Sequence, residues 1–166
     1  MKLYKDPQNN IHQLDSSEFE YLLPVGSINI TQEEADTLKL SQIPIKSLVD
    51  KKSEMWVKIK TERDRRIQTG GYKVGSKWYH SDTFSRTQQM GLVMLGVNIP
   101  ANTPWKTMDG TFVIMTQLLA NQIFGTAAAS DIAIFTAAEL HKTNMELLSD
   151  PLTYNYSSNW PIIFGE

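Results

Sequence analysis

Apolar and polar residues alternate in the first part of the chain and fall into helical spacing from about residue 47 onward. Leu3-Tyr4 and Ile11-His12-Gln13-Leu14 flank the turn formers Asp6-Pro7-Gln8-Asn9-Asn10, a pattern that reads as a small β-hairpin. A further extended piece, Ile28-Asn29-Ile30, runs into Thr31-Gln32-Glu33-Glu34. Thr31 with Glu34 three residues later makes a capping box, which predicts a short helix from Gln32 to about Leu40. Pro44 has no amide donor and turns its predecessor away from helical dihedrals. The boundary is therefore placed near residues 41–46, between a small hairpin and short-helix unit (1–44) and a larger domain (45–166).

Beyond the boundary, Leu48, Met55, Trp56, Ile59 and Ile67 fall near one helical face, Glu62 and Arg66 form an i,i+4 pair, and Gly70-Gly71 ends the run. Tyr72-Lys73-Val74 and Lys77-Trp78-Tyr79-His80 read as a tight hairpin about Gly75-Ser76. Ser81 or Asp82 caps a second helix that runs through Leu95 to Gly96. A second hairpin follows, Trp105 to Thr107 and Thr111 to Met115, turning on Met108-Asp109-Gly110. Thr116 caps a last helix that reaches about Leu148 and stops at Asp150-Pro151. At 1.5 Å per residue it would be roughly 48 Å long, so either Gly125 or Ser130-Asp131 breaks it or it projects. Leu119, Ile123, Ala127, Ile134, Ala138, Met145 and Leu148 form its expected inward stripe, close to a heptad period. Such a stripe suits burial against the chain's own hairpins, or a homo-oligomer built through the long helix. The fold class is α+β: a small N-terminal hairpin and helix unit, then helix, hairpin, helix, hairpin and long helix.

The chain has 166 residues, 41% hydrophobic and 20% charged, enough for one core with a small appendage and too little for two large domains. It has no Cys, which removes disulfides, thiolate metal sites and a cysteine nucleophile. Ile123 to Leu140 is interrupted by Gly125, Thr126, Ser130, Asp131 and Glu139, and is not read as a bilayer span; no apolar signal segment follows Met1. The net charge of −2 conceals a basic belt: residues 51–90 carry 10 basic and 4 acidic side chains, between two acidic flanks. Trp56, Tyr72, Trp78 and Tyr79 are interleaved with it. Such a belt can bind single-stranded nucleic acid. It can equally be a solvated helix face or pair with the chain's own acidic parts, and the near-neutral total favours that reading.

Candidate chemistry is sparse. Gly70 to Lys77 resembles a phosphate loop, but its order is Gly-Ser-Lys rather than Gly-Lys-Ser, and no helix starts after it. His80, Ser81, Asp82 and Ser85 bring an imidazole, a carboxylate and hydroxyls close in sequence, where a surface His and a helix N-cap explain them better than a nucleophile with its base. His12, His80 and His141 have no ligand spacing. No catalytic, cofactor or metal residue is assigned, and the protein is read as a non-enzyme. The aromatic tail is conspicuous: Tyr154, Tyr156, Trp160 and Phe164 follow a helix stop and must dock, on the chain's own hairpins or on a partner. With Lys58, Arg63, Arg65 and Arg66 of the basic helix, they are the candidate partner-binding residues.

Ile59 to Val74, with the run Lys77 to Asp82 and the run Trp105 to Gly110, resembles an uncharacterised domain family of tailed bacteriophages and prophages over about residues 50–164. Tyr4-Lys5-Asp6 to Glu33-Glu34-Ala35-Asp36 resembles the start of phage tail-fibre assembly proteins. These resemblances imply a context and no catalytic residues. The protein is expected to be a phage tail protein, acting by protein–protein binding in tail-fibre assembly, chaperone-like, or as a tail or fibre-attachment component. Its partner would be a tail or tail-fibre protein, met in the virion tail or in the host cytoplasm during assembly. The alternative is a nucleic-acid-binding or host-directed phage accessory protein using the basic helix over 51–66.

Overall fold

The structure is a computed structural model that describes residues 1–43 and 46–166; Pro44, the residue that marks the boundary in the sequence, lies outside the described residues. The chain is α+β and divides into two compact units, Met1–Lys46 and Ser47–Glu166.

In the first unit the expected hairpin is part of a three-stranded antiparallel sheet. Strand β1 (Lys2–Lys5) lies between β2 (Ile11–Leu14) and β3 (Ile28–Ile30), with Tyr4 opposite His12 on one side and Asn29 on the other. The β1–β2 turn is organised by buried Asp6. Its carboxylate accepts from the amides of Gln8 (2.9 Å) and Asn10 (2.8 Å) and from Asn10 Nδ2 (2.9 Å), and lies 3.1 Å from His12 Nε2. These bonds, the Asn10 side chain's first, hold the carboxyl down at about 2. Helix α1 (Gln32–Gln42) begins with the expected Thr31–Glu34 capping box and runs two residues past the expected end. Its Ala35 packs with Leu3 and Ile30 to form the core of the unit. A 3-10 segment over Ser17–Leu22, unforeseen in the sequence, connects β2 to β3 and brings Glu20 to the Tyr4 hydroxyl.

The second unit is assembled on one helix. Helix α2 (Leu48–Thr69), the hairpin β4–β5 (Tyr72–Val74, Lys77–Tyr79), α3 (Thr83–Leu95) and the hairpin β6–β7 (Pro104–Lys106, Phe112–Ile114) precede α4 (Gln117–Glu146), and α2, α3 and β4 all pack on α4. Tyr72, Tyr79, Met115, Ala120 and Ile123 form one core at its N-terminal half. Met55, Ile59, Ala138 and Met145 form a second at its C-terminal half. On α2, Leu48 is exposed and Ile67 half-buried, so the expected apolar face narrows to Met55, Trp56 and Ile59, with Arg66 buried beside them.

Helix α4 is unbroken through 30 residues, about 45 Å. Gly125 does not break it; the position is exposed and a side chain there would meet nothing within 4 Å, so nothing about the packing requires glycine there. The buried stripe is Ala120, Ile123, Ile134, Ala138, His141 and Met145, with Ala127 partly buried. It corrects the expected one at both ends, since Leu119 is only half-buried and Leu148 is exposed. This heptad-spaced stripe is occupied by the chain's own α2, α3 and β4.

Asp131 stays in the helix because Arg86 holds it. The Arg86 guanidinium donates to Asp131 at 2.6 and 3.0 Å, to the Ser81 carbonyl at 2.6 Å and to the Ile67 carbonyl at 3.1 Å, and lies 5.1 Å from the centroid of the Tyr72 ring. Ile67 lies in the last turn of α2, where carbonyls lack intrahelical donors. One side chain therefore joins α2, β4, α3 and α4. Arg86→Lys keeps a charge opposite Asp131 but cannot fork to three acceptors. It should lower stability by about 1–3 kcal/mol, measured by urea denaturation, and an unchanged midpoint would show that the fork is dispensable.

Candidate protein-binding surface

The C-terminal tail docks on its own chain, mainly on helices and not on the expected hairpins. After a 3-10 turn at Pro151–Thr153, capped by Asp150, the chain runs back over α2 and α4. Tyr154, Tyr156 and Trp160 pack on the Met55, Ile59, Ala138 and Met145 core, and Ile163 is buried. Phe164 reaches a hairpin, meeting Trp78 edge-on at 6.1 Å, while its amide donates to the Gly70 carbonyl at 2.8 Å. A Cβ on Gly70 would stand 2.6 Å from Ile163 Cγ2, so glycine at the end of α2 lets the tail cross.

Arg66, proposed from sequence as a surface contact, is only 6% exposed. Its guanidinium donates to Glu62 (2.7 Å), the Pro161 carbonyl (3.0 Å) and the Glu166 carboxylate (2.8 and 3.1 Å), 5.4 Å from the centroid of the Trp160 ring. It fastens the tail. The other basic candidates are paired along α2: Lys58 with Glu54 at 3.1 Å, Arg63 with Asp64 at 2.7 Å, and Arg65 with both oxygens of Glu62 at 2.7 Å. Arg63 also lies 4.7 Å from the centroid of Phe135. Lys60 and Lys142 both sit over Trp56. Arg65, then Arg66, holds the Glu62 carboxyl below the usual range. The belt is thus matched largely by carboxylates and rings of its own chain, with Lys58 and Arg65 left about half exposed.

The sequence neighbours around His80 have structural roles. Asp82 caps α3, accepting from the Ser85 amide and hydroxyl, and the buried Ser81 hydroxyl accepts from the Gly71 amide at 2.9 Å. The run Gly70 to Lys77 forms the end of α2 and the β4–β5 turn, with Gly71 at φ +72° and Gly75 at φ +59°. Lys77 clamps the two hairpins together through Asp109 and Thr111, each at 2.7 Å, and drives the Asp109 carboxyl well below its usual range. Trp105 packs on the first core, as a hairpin tryptophan covering helices should. His141 is buried beneath the tail: Nδ1 lies 2.9 Å from the Tyr154 hydroxyl, and the ring leans on Trp160 at 4.7 Å. Among the described residues no three potential metal ligands gather.

What remains uncovered is apolar. A cleft of about 350 Å³ lies between α3 and α4, lined by Thr87, Met90, Phe124, Ala127 and Ala128 and floored by the Arg86–Asp131 pair. Phe84 and Met94, on the exposed side of α3, extend the apolar surface. In the first unit, Tyr21, Leu22 and Val25 stand out of the β2–β3 connection, Val25 at 98% exposure. These residues escaped the reading of the sequence, although α3 carried the signal: it is apolar on two sides, Leu92 and Val93 inward and Phe84, Met90 and Met94 outward. Helix α4 is long and apolar enough, by length and composition alone, to cross a membrane, a test that the core helix of a soluble protein also passes. Its buried side is engaged by the rest of the unit.

Residues 50–158, from the first turn of α2 into the aromatic tail, match the family model described as Domain of unknown function (DUF4376). No curated protein and no solved structure matches the chain.

Two measurements test the tail. Trp160→Ala removes a half-buried ring and one face of the Arg66 site, and should cost about 2–3 kcal/mol, roughly 5–10 °C in melting temperature for a chain of this size. An unchanged melting curve would mean that the tail does not lie on α2 and α4 in solution. Burial lowers the His141 pKa below its ordinary 6.5, so the folded state takes up this proton less readily than the unfolded one. The stabilisation is complete above pH 6.5 and declines as pH falls below it toward the folded-state value. Urea midpoints should therefore drop between pH 7 and 5, and His141→Gln should flatten that drop.

Proposed function

The chain belongs to the family Domain of unknown function (DUF4376), whose description names no role, and we propose that it is a non-enzymatic bacteriophage tail protein that works by binding other proteins. It acts in tail-fibre assembly, chaperone-like, or as a tail or fibre-attachment component. The observation that carries the binding role is the uncovered apolar face of α3 with the cleft between α3 and α4. Phe84, Met90, Met94 and Phe124 together present a patch of the kind that marks a protein contact when it is contiguous. The aromatic tail contributes indirectly, by closing the α2–α4 side while the α3–α4 side stays open. The phage-tail context comes from the likeness of residues 50–164 to tail-region domains and of the N-terminus to fibre-assembly proteins.

The basic helix gives less support to a nucleic-acid role, because Arg66 is buried and Arg63 and Arg65 are held by neighbouring carboxylates. Phosphate binding would have to break those pairs. Mass spectrometry of purified virions, with co-purification of the full chain from infected cells, should recover tail or fibre proteins. Met90→Glu and Phe84→Glu, both at exposed positions, should leave the melting temperature within about 2 °C and weaken the complex at least about tenfold. A salt-sensitive complex with single-stranded oligonucleotides in place of a protein partner would overturn the proposal.

A further inference from the structure

Helix α4 carries a second apolar stripe, diametrically opposite the buried one. At 100° per residue Leu118, Gly125, Ala129, Ile132, Thr136 and Leu140 fall on the face turned away from the core. Their spacings of seven, four, three, four and four are close to the repeat of a coiled-coil seam. The large ones are open: Leu118 is 68% exposed, Ile132 67% and Leu140 56%. From Gln117 to Ala138 the only charged residue is Asp131, which Arg86 holds on the other side of the helix. A helix face of this length without a charge is unusual for a surface that meets only water.

We propose that this face binds a second copy of the chain, helix α4 against helix α4, antiparallel, with the two-fold axis at Ala129. The ends of the stripe are self-complementary about that point: in an antiparallel pair centred there, Leu118 meets Leu140, Gln122 meets Thr136 and Ala129 meets its own copy, while Gly125 and Ile132 stand level with Ala133 and Thr126 at the edge of the face. Such reciprocity is what a two-fold interface requires. Gly125 and Ala129 let the helices approach near the axis, the two copies of Ile132 flank it, and the leucines close the seam at the ends. The same register sets Glu139, exposed and only loosely associated with Lys142 at 4.0 Å, beside the first turn of the other α4. That turn contains no acidic residue, and its free amides favour a carboxylate. A parallel pair would instead set the two Glu139 side chains near each other. Contact over about 35 Å of helix buries on the order of 1,200 Å² in total, the lower end of a stable specific interface.

This inference goes beyond the tail-protein reading and does not depend on it, since it concerns the outer stripe of α4 and not the α3–α4 cleft. The absence of cysteine makes the test clean. Sedimentation equilibrium of the full chain up to about 100 µM should show a dimer. Ala129→Glu places two carboxylates at the axis and should weaken that dimer at least about a hundredfold, with an unchanged circular dichroism spectrum. Under mild oxidation Ala129→Cys should cross-link to itself. Leu118→Cys alone should not, because the two positions stand roughly 33 Å apart, whereas the double variant Leu118→Cys, Leu140→Cys should. A monomer at all concentrations would overturn the proposal. So would self-cross-linking of Leu118→Cys alone, or flotation of the wild-type chain with phosphatidylcholine vesicles. Met90→Glu should leave the dimer intact, so loss of tail-protein binding and loss of self-association are separable.

Discussion

The bidentate pair between Arg86 and Asp131 is the constraint on which the larger unit depends. A carboxylate in the middle of an apolar helix would ordinarily turn to solvent or end the helix. Here it receives both arms of a guanidinium whose remaining donors reach carbonyls at the end of α2 and the start of α3. A pair enclosed in this way contributes modest net stability, because desolvation offsets most of the attraction. It contributes geometry: the fork fits only when the end of α2, the start of α3, the middle of α4 and the Tyr72 ring are correctly placed. The two cores along α4 then fill around a fixed register.

A second arginine performs the corresponding task at the other end. Arg66 gathers Glu62, Glu166 and the Pro161 carbonyl under Trp160, converting an apolar tail into the cover of the α2–α4 core. The two arginines are two of the belt's ten basic residues. Cations that look in the sequence like a surface for phosphates are, in the fold, internal fasteners or members of helix-face ion pairs. Functional interest therefore moves from charge to the apolar surface that the charges leave exposed.

That surface follows from the shape of the unit. A 30-residue helix has more circumference than two helices, two short hairpins and a tail can cover. The contacts on one side produce cores, and the other side keeps its leucines, isoleucine and small residues in solvent. The cleft against α3 and the outer stripe of α4 are two consequences of the same incomplete layer.

Local features were legible without the fold. The Thr31–Glu34 capping box, the Asp82 cap, the two hairpins about Gly75 and Asp109-Gly110, and the stop of α2 at Gly70-Gly71 each rest on side chains bonding their own backbone or on dihedrals that only certain residues adopt, so a few consecutive residues determine them. Periodicity likewise determined that α2 and α4 are helices, and a cap and a terminal glycine marked α3. It could not assign roles to their faces. Helix α4 is apolar all round, and which stripe turns inward depends on where α2 and α3 lie, so Ala120 and His141 were missed and Leu148 was wrongly included. Nor could it show that Arg66 is buried or that Arg86 and Asp131, 45 residues apart, form one pair. Interactions between residues near in sequence leave a readable pattern, whereas the partners of a buried charge and the covered side of an apolar helix are decided only when distant segments meet.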